Sequence, residues 1–595
     1  MRLGSLGSKP GNWYYPLFLC LLGAYSNLVA YGYSYPAGPD LNFDLPMARW
    51  LMNPSLYPTD PIRGSFARHA SLFWRMVAAM SKHWSMEHVL FFLFVLAKLI
   101  FFLAIGRLIA TCVGNRLLGA CIVVVLALSP AFGSATPIGG TIILPNTSEQ
   151  GTLGLPILLL AGVFLVEGRW LTATVIAGAA VYIDAIQFLH TLPAFAVFAV
   201  LDWRERKRRI VAAALVGAGI FAPWFIHFHR SLAVSFPKGY VSTLLYFYPY
   251  HTTLRWTSFS SLAEVGIIIV SMCVMGFIGE KRRLLHRETR LEILAGSYLA
   301  LLLTGIVVDK FFLSPESARL MLLRTDAFLL VYAILAILIY GVNLTASVKT
   351  FQPITVMMVL SAILLSVKPY FSFLFLFMLV MWIDPKERAE RFLLTIFGWF
   401  NWPSATRIVV AWCCLAVLAK GAIRDPFHSI PELLQGGSSG ILAKDIFSVP
   451  SVGRLYNFTI PPTSEEIEFY QAQLWARDNT PVDSRFLVPP GAGGFRVLSE
   501  RSSWGEFTDG NAMYFDPSFA RKFLTRILAI HKPIAAQGLN VAALLREYYE
   551  RLSWEQIRGI ATRNNLNYIV QYREIKYPKS PVFQNGCFAI YNVSP

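Results

Sequence analysis

A series of apolar runs, several of them reaching the roughly 20 residues that a helix needs to cross a bilayer, constrains this chain more than any other feature. The charge is confined to short clusters between them. Of 595 residues 55% are hydrophobic and only 15% are charged, where soluble chains carry about a quarter. The runs predict a first span from Trp13 to about Ala30 and further spans near 87–110, 117–133, 152–166, 170–187, 191–203, 210–228, 261–279, 293–308, 326–344, 353–367, 370–383 and 404–422. That is about 13 in all. Residues 392–401 are too short to cross and read as re-entrant or interfacial. Ser26-Asn27-Leu28 makes a poor cleavage region, so the first span is expected to be retained.

A net charge of +17 raises the question of a nucleic-acid partner, but its distribution argues for membrane lipids instead. Basic residues gather in short loops, at Arg204, Arg206, Lys207, Arg208 and Arg209 and at Lys281, Arg282 and Arg283. Cytoplasmic loops are built this way. With the N-terminus inside, the inner loops hold Arg107, Arg116, Arg169, the 204–209 cluster, 281–290, Lys349 and Lys386 to Arg391, while 133–151 has no Lys or Arg. The C-terminal region then lies outside the cell membrane. The first outer loop departs from this pattern with Arg49, Arg63, Arg68, Arg75 and Lys82, and its length makes it a weaker topological signal.

The expected fold is an all-α polytopic membrane bundle over 1–423 with a C-terminal extracytoplasmic α/β domain over 424–595. The first outer loop, 34–86, places Phe66, Ala70, Phe73, Trp74 and Val77 at helical spacing. They read as an amphipathic helix in the interface plane, or equally as a small helix packed on the loop. In the tail, Thr463-Ser464-Glu465-Glu466 opens a helix to Asn479, and a second runs over 553–564. Strands are expected at Arg485–Val488, Tyr568–Gln571 and Phe588–Tyr591. Six of the seven cysteines lie in or beside apolar segments, so the tail has no internal disulfide.

Asp40 and Asp44 lie just beyond the outer end of the first span. A carboxylate at headgroup height suits a general base on an acceptor hydroxyl, or a group that orients a metal or substrate. The same pair also reads as loop residues, one of them capping a helix that continues as Leu45–Leu51. Glu149 is the single acid of the Gly- and Pro-bearing segment 133–151. Asp184 and His190 flank the outer end of a span, with Asp184 inside the apolar run, where an ionisable group marks a cavity or pathway. Arg319 and Arg324 precede the span at 326–344 and suit a lipid phosphate or headgroups. The loop 229–260 is rich in aromatics and carries His251, a composition that an aromatic belt also explains. Gly491-Ala492-Gly493-Gly494 has no Gly-Lys-Ser/Thr after it and reads as a flexible surface turn.

A long first outer loop with an early acid and an interfacial helix, an odd number of spans and an outward C-terminal domain resembles the GT-C superfamily of integral-membrane glycosyltransferases. Short strings resemble a bacterial branch of such proteins: Asn53-Pro54-Ser55-Leu56-Tyr57-Pro58-Thr59-Asp60-Pro61, Tyr248-Pro249-Tyr250-His251, Trp475-Ala476-Arg477-Asp478-Asn479-Thr480-Pro481, Phe495-Arg496 and Ser499-Glu500-Arg501. The resemblance implies a polyprenyl-phosphate-linked sugar donor, Asp40 or Asp44 as base, Arg319 or Arg324 on the phosphate, and a role for His251. The chain lacks the DxD or EED-type motif of a later outer loop, which leaves a divalent metal as an open expectation and no other cofactor. The other functional class in view is a transporter or assembly component of envelope polysaccharide, with Asp184 lining a pathway. A transporter predicts repeats with matching broken helices, and none is visible in the sequence.

Overall fold

The computed structural model describes residues 13–36, 40–69, 71–113, 116–232, 236–254, 257, 259–281, 288–346, 463–530 and 541–593. The spans expected at 353–367, 370–383 and 404–422, and the short run 392–401, lie outside them. The chain is mostly helical, with a small C-terminal sheet. Among the described residues, four helical stretches are long and apolar enough to cross a membrane: Met86–Cys112, Ala185–Ile226, Arg290–Phe311 and Pro315–Ile339. Some apolar helices are shorter; Arg116–Leu128, for example, reaches only about 20 Å at 1.5 Å per residue, against a hydrocarbon core of about 30 Å.

The bundle comprises α1 (Tyr14–Tyr31), α5 (Met86–Cys112), α6 (Arg116–Leu128), α8 (Gln150–Val166), α9 (Trp170–Val181), α10 (Ala185–Leu232), α12 (Phe259–Lys281), α13 (Glu288–Phe311) and α15 (Asp326–Ala346). Helix α1 lies on α5 and α6, α5 on α8, α9 on α8 and α10, and α15 on α12 and α13. The stretch labelled α10 is two helices that fold back on each other. Phe188 stacks on Phe221 with centroids 5.7 Å apart, although a straight helix would separate them by about 50 Å. The bend is at Arg206, the non-helical residue (φ −129°, ψ 18°). It falls in the basic cluster that sequence assigns to a loop between two spans.

Charged partners close this end of the bundle. Arg107 grips Glu167 through two hydrogen bonds of 2.6 and 2.7 Å. Arg290 holds Asp202 at 2.7 and 2.9 Å, and Trp170 Nε1 donates to Asp202 at 3.0 Å.

The opposite end carries α2 (Leu41–Met52), α3 (Arg63–His69), α4 (Leu72–Met80), the four-residue turn α7 (Pro130–Gly133), α11 (Tyr240–Phe247) and α14 (Pro315–Leu320). The expected single interfacial helix is two helices here. Ser71 adopts an extended conformation as the N-cap of α4, which separates α3 from α4. Phe66, Phe73, Trp74 and Val77 are nevertheless all buried, as their spacing implied.

In the C-terminal unit, α16 (Ser464–Asn479) starts with a capping box of Thr463 and Glu466, and α20 (Trp554–Arg563) with one of Ser553 and Gln556. Between them lie α17 (Phe495–Ser499), α18 (Phe519–Ile530) and α19 (Val541–Glu550). Five strands, β1 (Arg485–Leu487), β2 (Ser502–Trp504), β3 (Tyr568–Tyr572), β4 (Phe583–Gln584) and β5 (Phe588–Asn592), form one sheet in the order β2-β1-β3-β5-β4. Strand β1 runs parallel to β2 and β3, while β5 is antiparallel to β3 and β4. Helices cover both faces, so both are apolar. Phe486, Val570 and Ile590 pack under α16; Leu487, Ile569 and Tyr591 pack under α20.

The unit does not stand apart from the helical part of the chain. Leu41, Phe66 and Trp74 of the first loop share one apolar core with Tyr470, Val497, Phe507 and Phe523 of the C-terminal unit.

Candidate functional site

The shared core places the N-terminus of α2 under the C-terminal unit. Asp40 is the N-cap of α2 and stays exposed, with Asn511 Nδ2 donating to its Oδ1 at 3.1 Å. Asp44 lies one turn along on the same helical face and is buried. The helix begins at Leu41, so Asp40 is the acid at the N-cap position and Asp44 sits in the first turn. His69, at the end of α3, donates from Nε2 to Asp44 Oδ1 at 2.7 Å. Burial pushes the Asp44 carboxyl above its ordinary range, while His69 pulls in the opposite direction.

Glu149 is the N-cap of α8 and forms a capping box with Thr152. Thr147 Oγ1 also donates to it at 2.9 Å. Burial, and then the Asp40 carboxylate, hold Glu149 well above the usual glutamate range, with Asp44 adding to the effect. The first-loop acids and Glu149 thus share one neighbourhood, although two spans separate them in the chain.

Asp184 does not lie within an unbroken apolar helix. Helix α9 ends at Val181 and α10 begins at Ala185, with the Asp184 carboxylate accepting from Gln187 N at 3.1 Å. A short acceptor at a helix start satisfies one of the orphan backbone donors there. Gly154 of α8 admits this turn closely, since a Cβ on it would lie 2.8 Å from Asp184 Cβ.

Arg324 follows Met321, a non-glycine residue in the left-handed region (φ 46°). It donates from Nε to Thr141 Oγ1 at 3.1 Å, and its charge acts on Asp184, His190 and His251. His190 donates from Nε2 to Leu320 O at 2.8 Å, and His251 from Nδ1 to Gly139 O at 2.6 Å. Burial, with Arg324 beside it, lowers the His251 imidazole to about 3, so it is neutral at physiological pH. Arg319 takes a different position. Its Nε donates to Tyr514 O at 2.8 Å, its charge faces Tyr240, Glu316 and Asp516, and its guanidinium lies 6.0 Å over Phe236.

Seven of the eight candidates from sequence are therefore linked through two overlapping sets, one acidic and one around Arg324. Asp184 joins them, since it also lies within electrostatic reach of His69. Arg319 instead belongs to the seat of the C-terminal unit. Among the described residues, no group of three or more His, Cys, Asp or Glu side chains is placed to hold a metal ion.

Sequence reasoning missed His69. It lies among the apolar residues of the periodic stretch, and its partner is 25 positions away, beyond the reach of any local pattern. The seat of the C-terminal unit was also missed. There Arg496 Nε and Nη2 reach Asp60 at 2.6 and 3.2 Å, and Arg496 Nη1 reaches Asp509 at 2.6 Å and Glu506 at 3.2 Å. Arg526 closes the cluster on Asp509 at 3.3 Å. Arg49 pairs with Glu500, and Tyr514 donates its hydroxyl to Tyr248 O at 3.0 Å. The glycine turn is part of this seat rather than a surface loop: a Cβ on Gly494 would lie 2.3 Å from Asn42 Oδ1.

No curated protein matches the chain. Residues 468–528, from α16 through most of α18 and so including Arg496, Glu506 and Asp509, match a family described as a domain of unknown function (DUF6798).

Proposed function

We propose that the chain is a GT-C-like membrane glycosyltransferase that transfers a sugar from a polyprenyl-phosphate-linked donor at the outer face of the membrane. In this reading about 13 spans cross the cell membrane, the N-terminus is cytoplasmic, and the C-terminal unit is extracytoplasmic. The observation that carries it is the meeting of Asp40, Asp44 and Glu149 with Asp184 and Arg324 beneath that unit. A glycosyl transfer needs a proton acceptor near the acceptor hydroxyl and a cation near the departing phosphate, and this group supplies both.

Arg324 presents a planar fork of donors suited to phosphate oxygens. The acceptor O–H bond breaks and its proton passes to the first-loop acids, Asp40 or Asp44. The freed oxygen pair forms the bond to the anomeric carbon, and polyprenyl phosphate leaves with the pair of the bond it loses. Protonated Glu149 donates a hydrogen bond without adding negative charge. The C-terminal unit, with Asn511 on Asp40, contributes to the acceptor side.

The test is release of polyprenyl phosphate by purified protein given polyprenyl-phosphate sugars, comparing wild type with Asp40→Asn and Asp44→Asn. Turnover unaffected by both substitutions removes the assigned base. No turnover with any donor favours an assembly component of envelope polysaccharide. A cytoplasmic C-terminus in topology mapping would break the scheme.

A further inference from the structure

We propose that the Asp44–His69 pair is the proton acceptor of this site, and that His69 Nδ1 is the atom that takes the proton. The proposal rests on the transferase reading above and chooses among its acids. Asp44 Oδ1 accepts from His69 Nε2 at 2.7 Å, an arrangement that fixes the neutral tautomer with its lone pair on Nδ1. That nitrogen is buried and has no hydrogen-bond partner among the described residues.

A buried imidazole nitrogen without a partner is costly unless something binds there. The ring is held edge-on by Phe43 at 5.0 Å and lies against Phe515 at 3.9 Å. Both rings keep bulk water from it. Phe515 comes from the C-terminal unit and is only half-buried, so an incoming acceptor hydroxyl reaches Nδ1 by displacing it. His69 also lies within electrostatic reach of Asp184, on the side of the site where Arg324 would hold the donor phosphate.

The step balances without a further reactant. The acceptor O–H proton moves to Nδ1, and the oxygen pair forms the bond to the anomeric carbon. The bond from that carbon to the phosphate oxygen breaks, and its pair leaves with polyprenyl phosphate. Asp44 stabilises the imidazolium, which returns its proton to water after product release. Asp40, exposed beside Asn511, is then a positioning residue for the acceptor.

The experiment uses the full chain in lipid nanodiscs with polyprenyl-phosphate sugars, and compares wild type, His69→Gln and His69→Ala with and without added imidazole. Expected is a fall in kcat of about a hundredfold or more in both variants with donor KM nearly unchanged. Added imidazole restores His69→Ala by about tenfold or more, because it supplies the missing base. Retention of kcat in His69→Gln overturns the proposal and leaves the transferase reading standing. Loss in His69→Ala without rescue, together with a lowered unfolding temperature, assigns His69 a structural role and also overturns it. Wild type silent with every donor overturns the transferase reading and the proposal with it.

Discussion

Arg496 of the C-terminal unit and Asp60 of the first loop, 436 positions apart, form a buried ion pair with contacts of 2.6 and 3.2 Å. The pair fastens the loop that carries Asp40, Asp44 and His69 to the unit that covers them. Burial opposes the Arg496 charge, but Asp509, Asp60 and Glu506 overcome it and keep the guanidinium firmly protonated.

Removing one partner leaves the others buried and unpaired. Asp60→Asn and Arg496→Met are therefore each expected to cost about 3–5 kcal/mol. Chemical denaturation in detergent should show the loss. Limited proteolysis should also cut the C-terminal unit faster in both variants, and wild-type resistance in either would contradict the role of the pair.

Glu149 links stability to pH. Its carboxyl lies well above the ordinary range in the folded chain because burial and then Asp40 disfavour its charge. The folded state holds this proton more tightly than the unfolded state. The stabilisation is thus complete below the ordinary glutamate range and is lost as pH rises through the raised folded value. Glu149→Gln, which keeps a neutral side chain, should flatten the fall in unfolding temperature as pH rises through the raised folded value. An unchanged pH profile would show that Glu149 is not the group responsible.

Arg324 and Arg319 should separate cleanly. Arg324→Ala is expected to raise donor KM by about tenfold or more, since a charge-assisted contact to phosphate is worth about 1.5–3 kcal/mol. Arg319→Ala loses the contact to Tyr514 O and should lower stability while leaving donor KM within about twofold. The reverse pattern, measured with the same donor, would exchange their roles.

Gly494 is expected to resist substitution for two independent reasons. Its φ of +92° disfavours any side chain, and an added Cβ would meet Asn42 Oδ1 at 2.3 Å. Gly494→Ala should cost about 1–3 kcal/mol. Asn42→Ala, introduced alongside, should recover the steric part and leave the backbone part. Full recovery in the double mutant would show that only the contact matters.

Elements were legible wherever the governing interaction is local. Thr463 and Glu466 are three residues apart and close a capping box, and Phe66, Phe73, Trp74 and Val77 mark a buried face by spacing alone. The break before Leu72 was not legible, because apolar period is unchanged across it. The turn at Arg206 was legible, because the basic cluster at 204–209 marked a break between two spans. At the site, residue type pointed to Glu149, Asp184 and Arg324. It did not distinguish Arg324 from Arg319, because an arginine's partner is chosen by the fold.

By itself the sequence determined the long apolar helices and the short strands of a C-terminal α/β unit, since apolar run length, capping and strand alternation act between residues a few positions apart. Only the tertiary structure decided which acids meet, that His69 is the partner of Asp44, and that the C-terminal unit shares a core with the first loop. Those contacts join residues from 25 to more than 400 positions apart. Their energy comes from burial and charge pairing in the folded state, and no local pattern records it.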